Sequence, residues 1–129
     1  MNVKIDTKEK FSVITPAEEV ITANMTEELV ALFHTYLQKK IPHLILNIEA
    51  VKELSKEAAE NIAQVQQHFY ENNVSFVICE INEEVEAQLE KMELLELLNS
   101  TPTESEAWDI VQMEEIEREL LGDFGEETN

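Results

Sequence analysis

The sequence predicts an α/β domain, built on a mixed, mostly parallel sheet of four or five strands with about four helices. Three observations carry this. Two near-continuous apolar runs, Leu44, Ile45, Leu46 and Ile48 in HLILNIE and Val74, Phe76, Val77, Ile78 and Cys79 in VSFVIC, suit strands buried on both faces. Between them Ala58, Ile62, Val65 and Phe69 recur at helical spacing on one face. A strand, helix, strand unit of this kind makes its two strands parallel and its crossover right-handed.

The remaining elements follow in chain order. Val3 and Ile5, then Phe11, Val13 and Ile14, read as two short strands, and the polar Lys8, Glu9 and Lys10 between them suit a hairpin turn. Leu29, Leu32, Phe33, Tyr36 and Leu37 form a helical stripe, with Asn24 and Glu27 as the expected capping pair. Pro42 ends the connection to the first apolar run. After the second run, Asn82 is placed to cap a helix whose buried stripe is Val85, Leu89 and Met92. A final edge strand is expected around Leu97 and Leu98, before Pro102 breaks regular structure. Thr103 and Glu106 complete a capping box for the last helix, which begins with Ala107, Ile110 and Val111.

That last helix carries two stripes. Met113, Ile116 and Leu120 lie on a face rotated by more than a third of a turn from Ala107, Ile110 and Val111. The helix therefore breaks near Gln112, packs its second half elsewhere on the domain or on another chain, or curls a broad face round the domain. The stripe Met113, Ile116 and Leu120 is the candidate docking or oligomer surface.

At 129 residues and 43% hydrophobic, the chain is sized for one domain. It is expected to span 1–121, with a helical extension from about 112 and an acidic, flexible tail over 122–129. The opening MNVKIDTKEK has no apolar core, and no apolar run approaches the ~20 residues of a membrane-spanning helix, so a soluble, cytoplasmic protein without membrane insertion is expected. The formal charge of −19 repels phosphate backbones and anionic lipid, which excludes direct nucleic-acid binding, and serves either solubility or attraction to a basic partner. The only glycines, Gly122 and Gly125, lie in the tail, which removes the glycine-rich phosphate loops and the nucleotide cofactors they hold.

Nor does catalytic or metal chemistry find its residues. A single cysteine, Cys79, lies inside an apolar run and can form neither an internal disulfide nor a multi-cysteine metal site. His34, His43 and His68 fall on different elements, without the spacing of a metal site or catalytic dyad. The glutamates of EINEEVEAQLEKME and QMEEIERE read as solvated helix faces, not as an acid and base sharing a cleft. A non-enzymatic protein without cofactor is the expectation.

The order of strands and helices resembles the STAS fold, the SpoIIAA-like fold shared by bacterial anti-sigma-factor antagonists and the cytoplasmic ends of sulfate transporters. HLILNIEAV is similar to the family's central strand and following turn. VSFVICEINEEVEAQLEKMELLELL is similar to its later strand, helix and strand, and TPTESEAWDIV to the start of its last helix. The resemblance covers roughly residues 10–111. It implies a right-handed βα superhelix and a protein-interaction role, with an anti-sigma factor, a kinase-like regulator or another STAS protein as partner and a homodimer as a further option. In the phosphorylated members an Asp-Ser-Ser-Gly or Asp-Ser-Thr-Gly string follows the central strand. Alignment without gaps puts Ser55 at the aspartate, Lys56 at the phosphoacceptor, Glu57 at the second hydroxyl and Ala58 at the glycine, and none of the four matches. The resemblance thus implies a partner-binding loop of Lys52, Glu53, Leu54, Ser55, Lys56 and Glu57, with Ser55 as the one candidate phosphoacceptor if the loop is shifted by a residue. Two alternatives stay open: a structural or oligomerising subunit acting through the last helix, and a domain binding a small ligand or lipid in an apolar cavity.

Overall fold

The structure, a computed structural model, describes residues 1–128, with side chains described to Leu121. The flexible acidic tail expected over 122–129 lies outside the residues whose side chains are described. Strands β1 (Val3–Thr7), β2 (Ser12–Pro16), β4 (Leu44–Asn47), β6 (Phe76–Cys79) and β7 (Ser100–Thr101) form one sheet in the order β1-β2-β4-β6-β7. The β1/β2 hairpin is antiparallel and every other pairing is parallel. A second, two-stranded parallel sheet pairs β3 (Val20–Ile21) with β5 (Glu53–Leu54). The helices are α1 (Ala23–Tyr36), α2 (Lys56–Glu71), α3 (Glu83–Lys91) and α4 (Glu104–Thr128).

Alternation along the strands splits the core into two layers. Ile14, Leu44, Leu46, Phe76 and Ile78 point to one face, where they meet Leu29 and Phe33 of α1 and Ile62, Val65 and Phe69 of α2. The rings of Phe33 and Phe69 both meet Phe76 edge to face, with centroids 5.0 and 5.2 Å away. The intervening Val13, Ile45, Val77 and Cys79 point to the other face, where Ala107 and Val111 of α4 cover them and Trp108 packs against Phe11. The two apolar runs are therefore buried on both faces because helices cover both sides of the sheet.

Several local expectations need correction. Helix α1 is capped by Thr22, whose hydroxyl accepts from the Met25 amide, so Asn24 lies inside the helix and is not its cap. The edge strand is Ser100–Thr101; Leu97 ends a single 3-10 turn with its side chain in solvent, and Leu98 is buried in the core. Gln66, buried on α2, sets this edge by bonding Asn99 through both its amide atoms, donating to the carbonyl and accepting from the N–H. Helix α4 does not break near Gln112. Its inner face runs through Ala107, Val111, Glu114 and Arg118, turning from apolar to polar without interruption.

Both ends of the α4 attachment are polar. At its start the Thr103 hydroxyl accepts from the Glu106 amide, the expected box, although Thr103 returns its own proton to the Glu106 carboxylate and not through its backbone. Glu80 adds a second cap, its carboxylate accepting from the Glu104 amide at 2.7 Å. Glu80 reaches it from a left-handed backbone conformation, φ 59°, that costs a residue with a Cβ about 1 kcal/mol.

Candidate functional site

The loop after β4 is built by three neighbours. From β3 and the residue before it, the Glu19 carbonyl accepts from the Lys52 and Glu53 amides and the Ile21 carbonyl from the Ser55 amide. From α3, Gln88 accepts from the Leu54 amide at 2.9 Å and donates to the Lys52 carbonyl, and Asn82 donates to the Val51 carbonyl. The Ser55 hydroxyl then accepts from the Ala58 amide at 3.1 Å and caps α2. Almost every backbone group from Val51 to Ser55 is thus held by a partner in the fold, so the loop is a rigid shelf.

On that shelf the side chains divide. Lys52, Glu53, Lys56 and Glu57 are exposed, and Lys52 lies 3.7 Å from the Glu19 carboxylate in a pair open to solvent. Leu54 is different: only 4% exposed, it packs into the main core, so it anchors the loop and offers no side chain to a partner. Ser55 is half-buried with one lone pair engaged in the cap. Lys56, at the aligned phosphoacceptor position, is the first residue of α2 and carries no hydroxyl.

Beside the shelf, at the C-terminal ends of β4 and β6, a polar network closes the sheet. Asn47 donates to Glu104 at 3.0 Å and accepts from the Glu49 amide, while the Trp108 indole N–H donates to the other Glu104 oxygen. Glu104 is engaged structurally. Burial pushes the Cys79 thiol up to about 12, with the Glu104, Glu80 and Glu49 carboxylates adding to the effect. A thiolate nucleophile is therefore suppressed here.

His34 and His68 fall on α1 and α2, but helix packing brings their rings to 5.3 Å between centroids beside a groove that includes Glu27, Asn61 and Gln64. Their proximity has no sequence signal, since 34 positions separate them and only the helix-to-helix contact joins them. Among the described residues no group of three or more His, Cys, Asp or Glu could hold a metal ion. His43 stands apart, its Nδ1 accepting from the Ser75 amide at 3.0 Å. No helix is long and apolar enough to cross a membrane among the described residues. The interior void under Leu54, between Leu46, Ile62 and Leu89, measures about 10 Å³, no larger than one water needs.

The stripe Met113, Ile116 and Leu120 is exposed by 54, 57 and 55%, on the side of α4 away from the sheet. The structure does not bring it near the shelf's Lys52 or Lys56 in any hydrogen bond, ion pair or core cluster.

The STAS domain model matches residues 2–107. Solved structures share the fold at low identity. A proposed anti-sigma factor antagonist from Thermotoga maritima is 19% identical over 85% of this chain and 94% of its own, with a TM-score of 0.73. An RsbS variant from Moorella thermoacetica is 16% identical over 87% and 96%, with a TM-score of 0.72. The anti-sigma factor antagonist SpoIIAA in its unphosphorylated form is 14% identical over 86% and 96%, with a TM-score of 0.68. No curated protein sequence matches this chain.

Proposed function

As the chain belongs to the STAS domain family, we propose that it is a non-enzymatic protein-interaction module of the anti-sigma-factor-antagonist kind, acting in the cytoplasm. Its docking face is the shelf of Lys52, Glu53, Lys56 and Glu57. The observation that supports this most is the contrast between backbone and side chains: a loop held by Glu19, Ile21, Asn82 and Gln88 presents four exposed charged groups at a helix N-terminus. Such a shelf loses little conformational entropy when a partner binds.

The partner is an anti-sigma factor, a kinase-like regulator or another STAS chain. Binding does not depend on phosphorylation at the usual position, because Lys56 occupies it and Ser55 is committed to the α2 cap. The chemistry of the shelf favours recognition of mixed charge, with two lysines and two glutamates in reach of one surface.

The test is affinity capture from a cytoplasmic extract of the source organism, with the wild type compared with Lys52→Glu/Lys56→Glu. Recovery of the captured protein should fall about tenfold or more while the melting temperature stays unchanged, as for loss of a charged contact at an interface. Equal recovery by both chains rules the shelf out.

A further inference from the structure

We propose that the outer face of α4 is a second docking surface, independent of the shelf, and that its occupant is a basic amphipathic helix of another protein and not a second copy of this chain. The first support is direction. Ala107, Val111, Glu114 and Arg118 lie along one line of α4 and face the sheet. At about 100° per residue, Asp109, Met113, Ile116 and Leu120 lie roughly opposite. Met113, Ile116 and Leu120 are each more than half exposed there. An apolar rib pointing away from its own domain has no role in the domain's core.

The second support is charge. Between Asp109 and Leu121 the only cation is Arg118, and the fold removes it from the outer face: its Nη2 donates to Ser75 and lies 3.7 Å from Glu114 on the inner side. Asp109, Glu117 and Glu119 are left exposed around the rib. The lysines nearest α4 lie on its flank: Lys8 sits 5.4 Å over the Trp108 ring, and Lys10 and Lys40 share a groove with Glu115. Two copies meeting rib to rib would set carboxylates against carboxylates, which disfavours pairing in the way like charges at the flanks of a coiled coil do. Three half-exposed apolar side chains also offer roughly a few hundred Å² at most, short of the ~800 Å² per partner of a stable dimer. A helix with a leucine stripe bordered by Lys or Arg answers both features, covering the rib and pairing its border.

The probe is a synthetic leucine-heptad helix with lysine at its flanking positions, labelled for fluorescence anisotropy and titrated with the full chain. The comparison is Met113→Ser/Ile116→Ser/Leu120→Ser, which leaves the net charge unchanged and alters only exposed positions; circular dichroism verifies that it remains folded. The wild type should bind at least about tenfold more tightly than the variant, and sedimentation should show the wild type alone as a monomer. Equal binding by both chains would mean charge attraction alone and overturn the proposal, as would absence of binding. A wild-type dimer that the variant dissociates would assign the rib to a second copy and overturn it too.

Discussion

Arg118 donates from Nη2 to the Ser75 hydroxyl at 2.6 Å, joining the second half of α4 to the residue that precedes β6. The same hydroxyl donates to Glu114 at 2.6 Å, and Asn99 donates to the other Glu114 oxygen at 3.1 Å. This network, and not an apolar stripe, holds α4 down beyond Val111. Arg118→Ala should lower stability by about 1–2 kcal/mol, since charge-assisted bonds exceed neutral ones but this pair is partly solvated. Urea unfolding measures the loss. Amide exchange should also accelerate over 112–121 and stay unchanged in α1; unaltered exchange there would show that the network does not fasten the helix.

Leu54 and Ser55 adjoin in sequence and differ in what they contribute. Leu54→Ala removes a core side chain and should cost about 2–4 kcal/mol. Ser55→Ala removes an N-cap and should cost about 1 kcal/mol. Chemical denaturation of both variants checks the ranking, and a Ser55 cost equal to that of Leu54 would contradict the cap assignment.

Cys79 is buried with its thiol held up to about 12. In the native protein a disulfide reagent should therefore modify it more than about a hundredfold more slowly than in denaturant. Comparable rates in the two conditions would show that β6 opens readily.

His43 titrates below its ordinary value of 6.5, first because it is buried and then because the Arg118 guanidinium is near, with Glu115 and Glu114 opposing. Protonation of Nδ1 would also displace the Ser75 amide that donates to it. A depressed pKa means that the unfolded chain takes up the proton first, so the stability from neutral His43 is complete above 6.5 and is lost as pH falls below it. His43→Gln should flatten that part of the stability profile below about pH 6.5 relative to wild type. Parallel profiles would remove His43 as a cause.

What could be read from the sequence follows the range of the forces involved. The runs at Leu44 and Val74 announce β4 and β6 because burial on both faces leaves no room for polar residues. Asn82 and Thr103 declare their helices through local cap chemistry. By contrast, β3 and β5 are two residues each, too short for any period, and exist because the chain after β4 passes β3. Hydrophobicity points to Leu97 and Leu98 for the edge strand, whereas the pairing is fixed at polar Ser100 and Thr101 by Gln66, 33 positions before Asn99. For the candidate site, the charged residues of the shelf are legible in the sequence, but the cap role of Ser55 comes from the structure, and the burial of Leu54 depends on β3 and α3 closing over it. The two stripes of α4 were visible as a conflict; its resolution by Glu114 and Arg118 needed Ser75 in place.

The docking role of the shelf is tested most directly by lysine acetylation footprinting of the chain, alone and bound to the protein it captures. Lys52 and Lys56 should be protected at least about fivefold in the complex, while Lys4 on the far edge strand reacts equally in both states. Full reactivity of Lys52 and Lys56 in the complex would contradict the account.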